Sequence, residues 1–517
     1  MKNINPKEKK AKILLVGIYD KNTVSLASNI LKSYVEQFDV ANNFEIATKE
    51  FSIFDDTVES ITKGIAEENP DIVGLSMFTW TSNQILEIIK HIDATIILGG
   101  PQVTGIEEEL IRENSNIDII ITGEGEVTFK ELLEYFCGEK RIEEIKGVTT
   151  KTIKTDPREV IENLDSIPSA YERIFKEHPD ISWISFETSR GCPMGCKYCS
   201  WSSTRRMRYY SLERVKKDLD IILSQNNINF IYLCDSNILV NKDRAKQILQ
   251  HIIDSGSNKK ISFEFNAEHL DDEIIDLLAQ LPNNEFDFGI QSINKRALDE
   301  MGRRFNKDKF EENFGKMVDK FKESNIRVDL IYGLPGDDIN GFKESLNYAI
   351  SLDKVKRVIT YPLTILPGSE FFRNMDKYGI KLRDKKSYIE KENFTFSEKD
   401  MELAKKYSFF TAVIYLNDRL KEYIKDFAEE KGKRYVDAIS EFMESLQFDI
   451  TGGVPYPDMI PSVKEGFKQR NMAFKNTIGK YDDIIDAFRV FSGHKYDSQL
   501  SDYKNYYSEH YYKLKSY

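Results

Sequence analysis

The chain has 517 residues and five cysteines, and its 73 Lys+Arg against 85 Asp+Glu leave a formal charge of −12. That length implies about three domains, each able to bury a core without disulfide staples. The net acidity, with no basic block beyond KEKK near the start, argues against nucleic acid as a partner, which needs a clustered basic face.

The polar opening MKNINPKEKK and the short first apolar run, Ile13 to Ile18, offer neither a signal segment nor a membrane span, so a soluble cytoplasmic protein is expected. ILLVG from Ile13, then Ile72–Ser76, Thr95 to Gly100 and Ile117 to Gly123, are short, continuous, β-branched runs of the kind that form buried parallel strands. Helix-period stretches separate them: Leu26, Ile30, Val35 and Phe38 approximate one face, and Ile85, Ile88 and Ile89 another. The alternation predicts a doubly wound α/β domain over residues 1–137, whose ligand would sit outside the carboxyl ends of the strands. Three loops fall there: Ser76, Met77, Phe78, Thr79 and Trp80; Gly99, Gly100, Pro101, Gln102 and Val103; Gly123, Glu124, Gly125 and Glu126. Glycine lets backbone approach a bulky ligand. Any one of these loops reads as an ordinary turn; three on one edge form a candidate ligand site.

Residues 11 to 137 resemble the Rossmann-like, flavodoxin-like cobalamin-binding domain that precedes the barrel in the B12-dependent branch of the radical S-adenosylmethionine (SAM) enzymes. The resemblance implies that the three loops hold cobalamin. Asn22, within DKNTVS, stands where related domains place a cobalt-ligating histidine, so a vacant or water-filled lower cobalt position is implied. An empty, vestigial domain is the alternative.

Residues 138–180 read as a charged linker, with Pro168 breaking any helix. Strand-like Ile181 to Glu187 then runs into TSRGCPMGCKYCSW, which sets Cys192, Cys196 and Cys199 on one loop as C-x-x-x-C-x-x-C. Thiolates hold iron–sulfur clusters, ordinarily four to a cubane, so three leave one iron open to substrate chemistry. Gly191, Pro193 and Gly195 suit a loop that must curl around it. Structural zinc would need a fourth ligand, and the six histidines and two other cysteines lie at no ribbon-like spacing from the three. Six strand candidates alternate with helical stretches: Trp183 to Phe186, Phe230 to Cys234, Ile261 to Phe265, Phe286 to Ile290, Val328 to Tyr332 and Val358 to Pro362. They predict a partial (β/α)6 TIM-type barrel over residues 181–377, with polar groups gathered at the strand ends, where such barrels keep their catalytic groups.

The cysteine spacing, Tyr198 before the last cysteine, and the segments GIQS (Gly289 to Ser292), DLIYGLPG (Asp329 to Gly336) and LPGS (Leu366 to Ser369) resemble the radical SAM superfamily. The resemblance implies a [4Fe–4S] cluster on Cys192, Cys196 and Cys199. SAM would be held by Glu264, Gln291, Arg303, Asp329 and the main chain at Tyr198, though whether Arg303 or Arg304 points inward is open. The implied chemistry is a 5′-deoxyadenosyl radical fed by an external electron donor such as flavodoxin or ferredoxin. With cobalamin present, the first expectation is a C-methyltransferase acting on an unactivated carbon of a small-molecule or peptide substrate. The alternatives are radical cyclisation or rearrangement without methyl transfer, and a non-catalytic iron–sulfur or zinc module.

Cys234, at a strand end, reads as packing or a pocket thiol, and Cys137 as structural. Residues 378–517 predict a helical cap, with amphipathic stretches at Asp400 to Lys406, Phe409 to Ile424 and Val436 to Leu446 and Ser397 as an N-cap. The Gly/Pro stretch Thr451 to Ser462 is a candidate substrate entrance, and the tyrosine-rich tail after Tyr496 a candidate core or interface.

Overall fold

A computed structural model describes residue 4 and residues 6–445 apart from 283–284, 322–324 and 416–417. The Gly/Pro stretch and the tyrosine-rich tail lie outside the described residues.

The first domain is one twisted sheet of β1 (Ala11–Tyr19), β2 (Phe44–Ser52), β3 (Ile72–Ser76), β4 (Thr95–Gly99), β5 (Ile119–Ile121) and β6 (Val148–Thr149) in the order β2-β1-β3-β4-β5-β6. The first five run parallel and β6 antiparallel to β5. The order reverses between β1 and β3, the switch point at which doubly wound sheets receive ligands. Alternation along β1 explains its unbroken apolar run: Ile13 and Leu15 face one core, Leu14, Val16 and Ile18 the other. β2 is absent from the strands expected from sequence. As an edge strand it reads FEIATKEFS, only its two end residues are buried, and charged residues interrupt its apolar pattern.

The segment expected as a linker is built into the fold. It supplies β6 and the helix Tyr171–Glu177, from which Arg173 Nη2 donates to Asn29 O at 2.6 Å on the first domain's opening helix.

The second sheet takes β7 (Trp183–Phe186), β10 (Phe230–Leu233), β11 (Lys260–Glu264), β12 (Glu285–Gln291), β13 (Asn325–Tyr332) and β14 (Val355–Pro362) in the order β14-β13-β12-β11-β10-β7, parallel throughout. It is a barrel left open between β7 and β14. The small pair β8 (Ser189–Arg190) and β9 (Arg208–Tyr209) follows β7. Intervening helices start at Ser211, Asn241, Asp271, Asn306 and Asp338, whose side chains accept first-turn N–H groups. Each such cap stabilises by about 1 kcal/mol.

Beyond the barrel, β15 (Lys381–Leu382) and β16 (Glu390–Glu392) form a short hairpin ahead of the helices Glu398–Tyr415, Asp418–Glu430 and Tyr435–Ser445. Ser397 caps the first of these, accepting from Asp400 N at 3.2 Å. That helix runs unbroken through Ser408 and lies on β14, Ser408 Oγ donating to Thr360 O at 3.2 Å. Among the described residues no helix is long and apolar enough to cross a membrane.

Candidate active site

The cysteine loop hangs between β8 and β9. Gly191 and Gly195 adopt positive φ (97° and 68°), and a Cβ on Gly191 would stand 2.2 Å from Arg206 O, so only glycine permits the curl there. Cys192 N donates to Thr204 O (3.0 Å), Cys199 N to Cys196 O (3.2 Å) and Lys197 N to Met301 O (2.9 Å). None of the three cysteines is in a disulfide; Cys196 is buried and the others half-buried. Among the described residues no three acidic, histidine or cysteine side chains meet as a single ion requires. A cubane is held otherwise, each thiolate on its own iron, and three cysteines on one curled loop suit that donor set.

Arg303 reaches this loop. Its Nη1 lies 3.8 Å from Cys196 Sγ, while Nη2 donates to Asn266 Oδ1 at 3.2 Å and also to Gly289 O. Its Nε is shut off from solvent and has no hydrogen-bond partner. Burial opposes its charge, yet Tyr198 and Cys196 beside it outweigh that and hold its pKa above the ordinary value. Arg304 is exposed, so Arg303 is the inward one. A small cavity opens beside it, lined by Asn266, Glu268, Gly289, Ile290 and Phe305 among others. Tyr198 lies close to Arg303, Cys196 and Cys199, burial pushing its hydroxyl pKa up.

The GIQS segment has a distinct geometry. Gln291 sits at φ 70°, next to an irregularity in the β12–β13 register, and its amide folds back so that a Cβ on Gly289 would lie 2.3 Å from Gln291 Nε2. A left-handed residue other than glycine is the kind of strain that persists at functional sites. Glu264 accepts from Tyr232 OH at 2.9 Å, and burial raises its pKa. Asp329 takes two bonds from Arg327, at 2.9 and 3.0 Å, and Arg327 also pairs with Asp287 at 3.0 Å. Arg327 was missed from sequence. The available signal was its i, i+2 spacing from Asp329, which sets both on one face of a strand. Cys234 follows β10 with Sγ 3.7 Å from Tyr232 O, and burial, with Glu187 nearby, pushes its thiol up to about 12. Cys137 is buried at the end of the helix Gly125–Phe136.

In the first domain two of the three loops are laced together: Met77 N donates to Gly99 O (2.7 Å), Gln102 N to Met77 O (3.1 Å) and Thr79 Oγ1 to Gln102 Oε1 (2.8 Å). Phe78 and Trp80 stack with centroids 4.8 Å apart, and Tyr19 meets Phe78 edge-on. A Cβ on Gly105 would lie 3.2 Å from Gly368 N, so this edge faces the LPGS segment of the barrel. A Cβ added at Gly123 would meet nothing within 4 Å, and at Gly99 only Ile121 O at 3.8 Å. That open ground, with the neighbouring aromatic stack, fits a large planar cofactor. Asn22 Nδ2 is tied to Asp20 Oδ1 at 2.6 Å, and Asn22 O accepts from Ser182 and Trp183 N.

Glu124 and Glu126 are placed otherwise than a cofactor loop implies. Glu124 accepts from Arg208 through both oxygens (2.7 and 2.9 Å) and from Ile161 N (2.7 Å). Glu126 accepts from Arg190 at 2.7 Å, and Arg190 Nε donates to Glu187 at 3.0 Å. Arg190 and Arg208 escaped the sequence reading because their first-domain carboxylate partners lie more than sixty residues away.

Residues 186–349 match the family model of the Radical SAM superfamily, and residues 16–133 that of the B12 binding domain. A Pyrococcus horikoshii protein described as an uncharacterized methyltransferase, PH0819, is 30% identical over 262 residues, 48% of this chain and 57% of its own length. The cobalamin-dependent radical SAM methyltransferase TokK of Streptomyces tokunonensis is 23% identical over 489 residues, 85% of this chain and 70% of its own. The chain thus spans only part of each relative's length. Among solved structures, the cobalamin-dependent S-adenosylmethionine radical enzyme OxsB superposes with a TM-score of 0.66 at 15% identity, over 92% of this chain and 81% of that one, a likeness of fold.

Proposed function

We propose that this chain, which belongs to the radical SAM enzymes that carry a B12-binding domain, is a cobalamin-dependent C-methyltransferase. The cofactors, when bound, supply a 5′-deoxyadenosyl radical from SAM on a [4Fe–4S] cluster and a methyl group from cobalamin.

The observation that carries this reading is that both candidate cofactor regions meet at one barrel mouth. Arg190, next to the cysteine loop, bonds Glu126 of the first domain, while Thr104 and Gly105 lie against Gly368. Cys192, Cys196 and Cys199 would hold three irons. Arg303 would pair with the SAM carboxylate, as its forked guanidinium favours. Gln291, Glu264, Asp329 and the Tyr198 main chain would border the same nucleoside. The first-domain loops at Ser76 to Trp80 and Gly99 to Val103, with the open ground at Gly123, would border the corrin and keep water from the radical's path. The domains would divide as 1–137, the connecting 138–180, 181–377 and 378–517. The substrate would be a small molecule or peptide, the electron donor a flavodoxin or ferredoxin, and the location the cytoplasm.

Methyl-labelled SAM, supplied with cobalamin, a low-potential reductant and candidate substrates to anaerobically reconstituted protein, tests the reading. Label in product together with S-adenosylhomocysteine is expected. Turnover yielding 5′-deoxyadenosine and an unlabelled product would replace methyl transfer by cyclisation or rearrangement.

A further inference from the structure

We propose that Glu124 and Glu126 of the first domain close the neck of the cysteine loop and act as positioning residues for its thiolates. The inference rests on the reading of Cys192, Cys196 and Cys199 as cluster ligands, and it assigns the two carboxylates a task other than touching cobalamin.

The neck is the ladder of β8 with β9, two rungs long: Ser189 faces Tyr209 and Arg190 faces Arg208. All of Gly191 to Met207, the three cysteines included, hangs from it. Two like charges directly opposite each other weaken an antiparallel pair. Here both are also withdrawn from water, the Arg190 side chain being 14% exposed and that of Arg208 4%. A two-rung ladder of this kind, flanked only by Cys192 N on Thr204 O (3.0 Å) and Tyr210 N on Thr188 O (3.2 Å), has little to hold it shut against two like charges.

Three carboxylates compensate the two cations. Glu187 belongs to the barrel, but the other two arrive from the first domain on the GEGEV turn. Glu124 takes Arg208 with both oxygens and stands 3.6 Å from Arg190 Nη1; Glu126 takes Arg190 at 2.7 Å. Glu124 is itself aimed by Ile161 N, and Ile161 O accepts from Arg208 at 2.6 Å, so the connecting segment completes the clasp. Without Glu124 and Glu126, Arg190 would keep Glu187 alone and Arg208 only the Ile161 carbonyl, and stranded buried charges are strongly unfavourable. The neck would open to rehydrate them, and the thiolates would lose their common placement although no cysteine had changed.

The test is the double variant Glu124→Gln/Glu126→Gln in the full chain. Before any iron is added, trypsin is expected to cut after Arg205 and Arg206, exposed sites within the loop, several times faster than in the parent. After anaerobic reconstitution, iron and sulfide per chain should fall, with iron affinity down about tenfold, as for other losses of supporting contacts around metal ligands. Cobalamin affinity, read from its visible spectrum, should stay within about twofold, because open ground and aromatic faces rather than these carboxylates border its site. Normal iron with cobalamin lost would overturn the proposal, since the carboxylates would then serve the corrin. If both are lost, Arg208→Gln decides: iron loss with cobalamin kept supports the neck, and unchanged iron and proteolysis overturn it. A parent chain that takes up no iron would sink the cluster reading instead, leaving the tryptic comparison to judge the neck.

Discussion

Arg327 holds Asp329 by two hydrogen bonds, Nε to Oδ1 at 2.9 Å and Nη2 to Oδ2 at 3.0 Å, from a position two residues earlier on the same strand. The guanidinium also reaches Asp287, which stands opposite it in register on β12. One cation thus serves two carboxylates inside the barrel, while burial raises the pKa of Asp329 and Arg327 works against that rise. Arg327→Met should leave both carboxylates without their cation and cost about 2 kcal/mol, less than a fully buried pair because the arginine is partly exposed. Urea unfolding at neutral pH measures this, and Arg327→Lys should recover only part of it, lacking the fork.

Arg303 and Arg304 are adjacent but face different surroundings. Arg303→Lys is expected to weaken SAM binding about tenfold or more, since an ammonium cannot reproduce the two-pronged contact. Arg304→Ala should change it by less than about twofold, as for most exposed charges. Equilibrium binding of SAM to reconstituted protein, with iron content measured alongside, separates the two. Equal effects would remove the distinction that burial draws between them.

Gln291 at φ 70° carries strain that glycine would relieve. Gln291→Gly should raise stability by about 1 kcal/mol while weakening SAM binding through loss of the amide. Gln291→Ala keeps the strain and loses the same amide, so it should bind SAM as poorly without the gain in stability. Thermal unfolding and SAM titration of the pair check both halves, and a Gly variant less stable than the Ala variant would contradict the strain argument.

Glu50 pairs in register with Gly17, whose missing side chain makes room for its carboxylate. Its Oε2 accepts from Ser25 N at 3.1 Å, but Oε1 has no hydrogen-bond partner, and burial pushes the pKa from 4.5 up to about 7, Ser25 N tempering the rise. Tyr19 also faces it. With the folded pKa above the unfolded one, the unfolded chain gives up its proton first, so stability falls as pH rises from about 4.5 to about 7. Glu50→Gln should be indistinguishable from the parent near pH 4 and more stable at pH 8 by up to about 3 kcal/mol. Chemical denaturation at both pH values decides. A variant no more stable at pH 8 would mean that Glu50 is solvated or paired.

The barrel and the cysteine loop were largely legible from residue patterns, because continuous apolar runs and tight ligand spacing are local signals. Trp183 to Phe186 coincides with β7, and the other five barrel strands overlap their expected runs within three residues at either end. β2 was not legible, since Glu45, Lys49 and Glu50 break its pattern at the sheet edge, where one side meets water. Arg303 was recognisable as one of a pair, but the direction each side chain takes depends on the turn at Gly302, which only the fold supplies. Glu124 and Glu126 looked like part of a glycine-rich ligand loop, and their arginine partners became visible only once residues 64 and 84 positions apart were neighbours.

The open barrel has two bare flanks, and each is shielded by a part of the chain remote in sequence. On one side Asn22 O receives Ser182 N and Trp183 N at the start of β7, and on the other the helix Glu398–Tyr415 lies on β14 through Ser408. An excised fragment of residues 181–377 would expose both flanks to self-pairing. Trimming the chain to a minimal catalytic unit is therefore expected to yield insoluble protein, and recombination with related sequences should exchange the shields together with the barrel they cover.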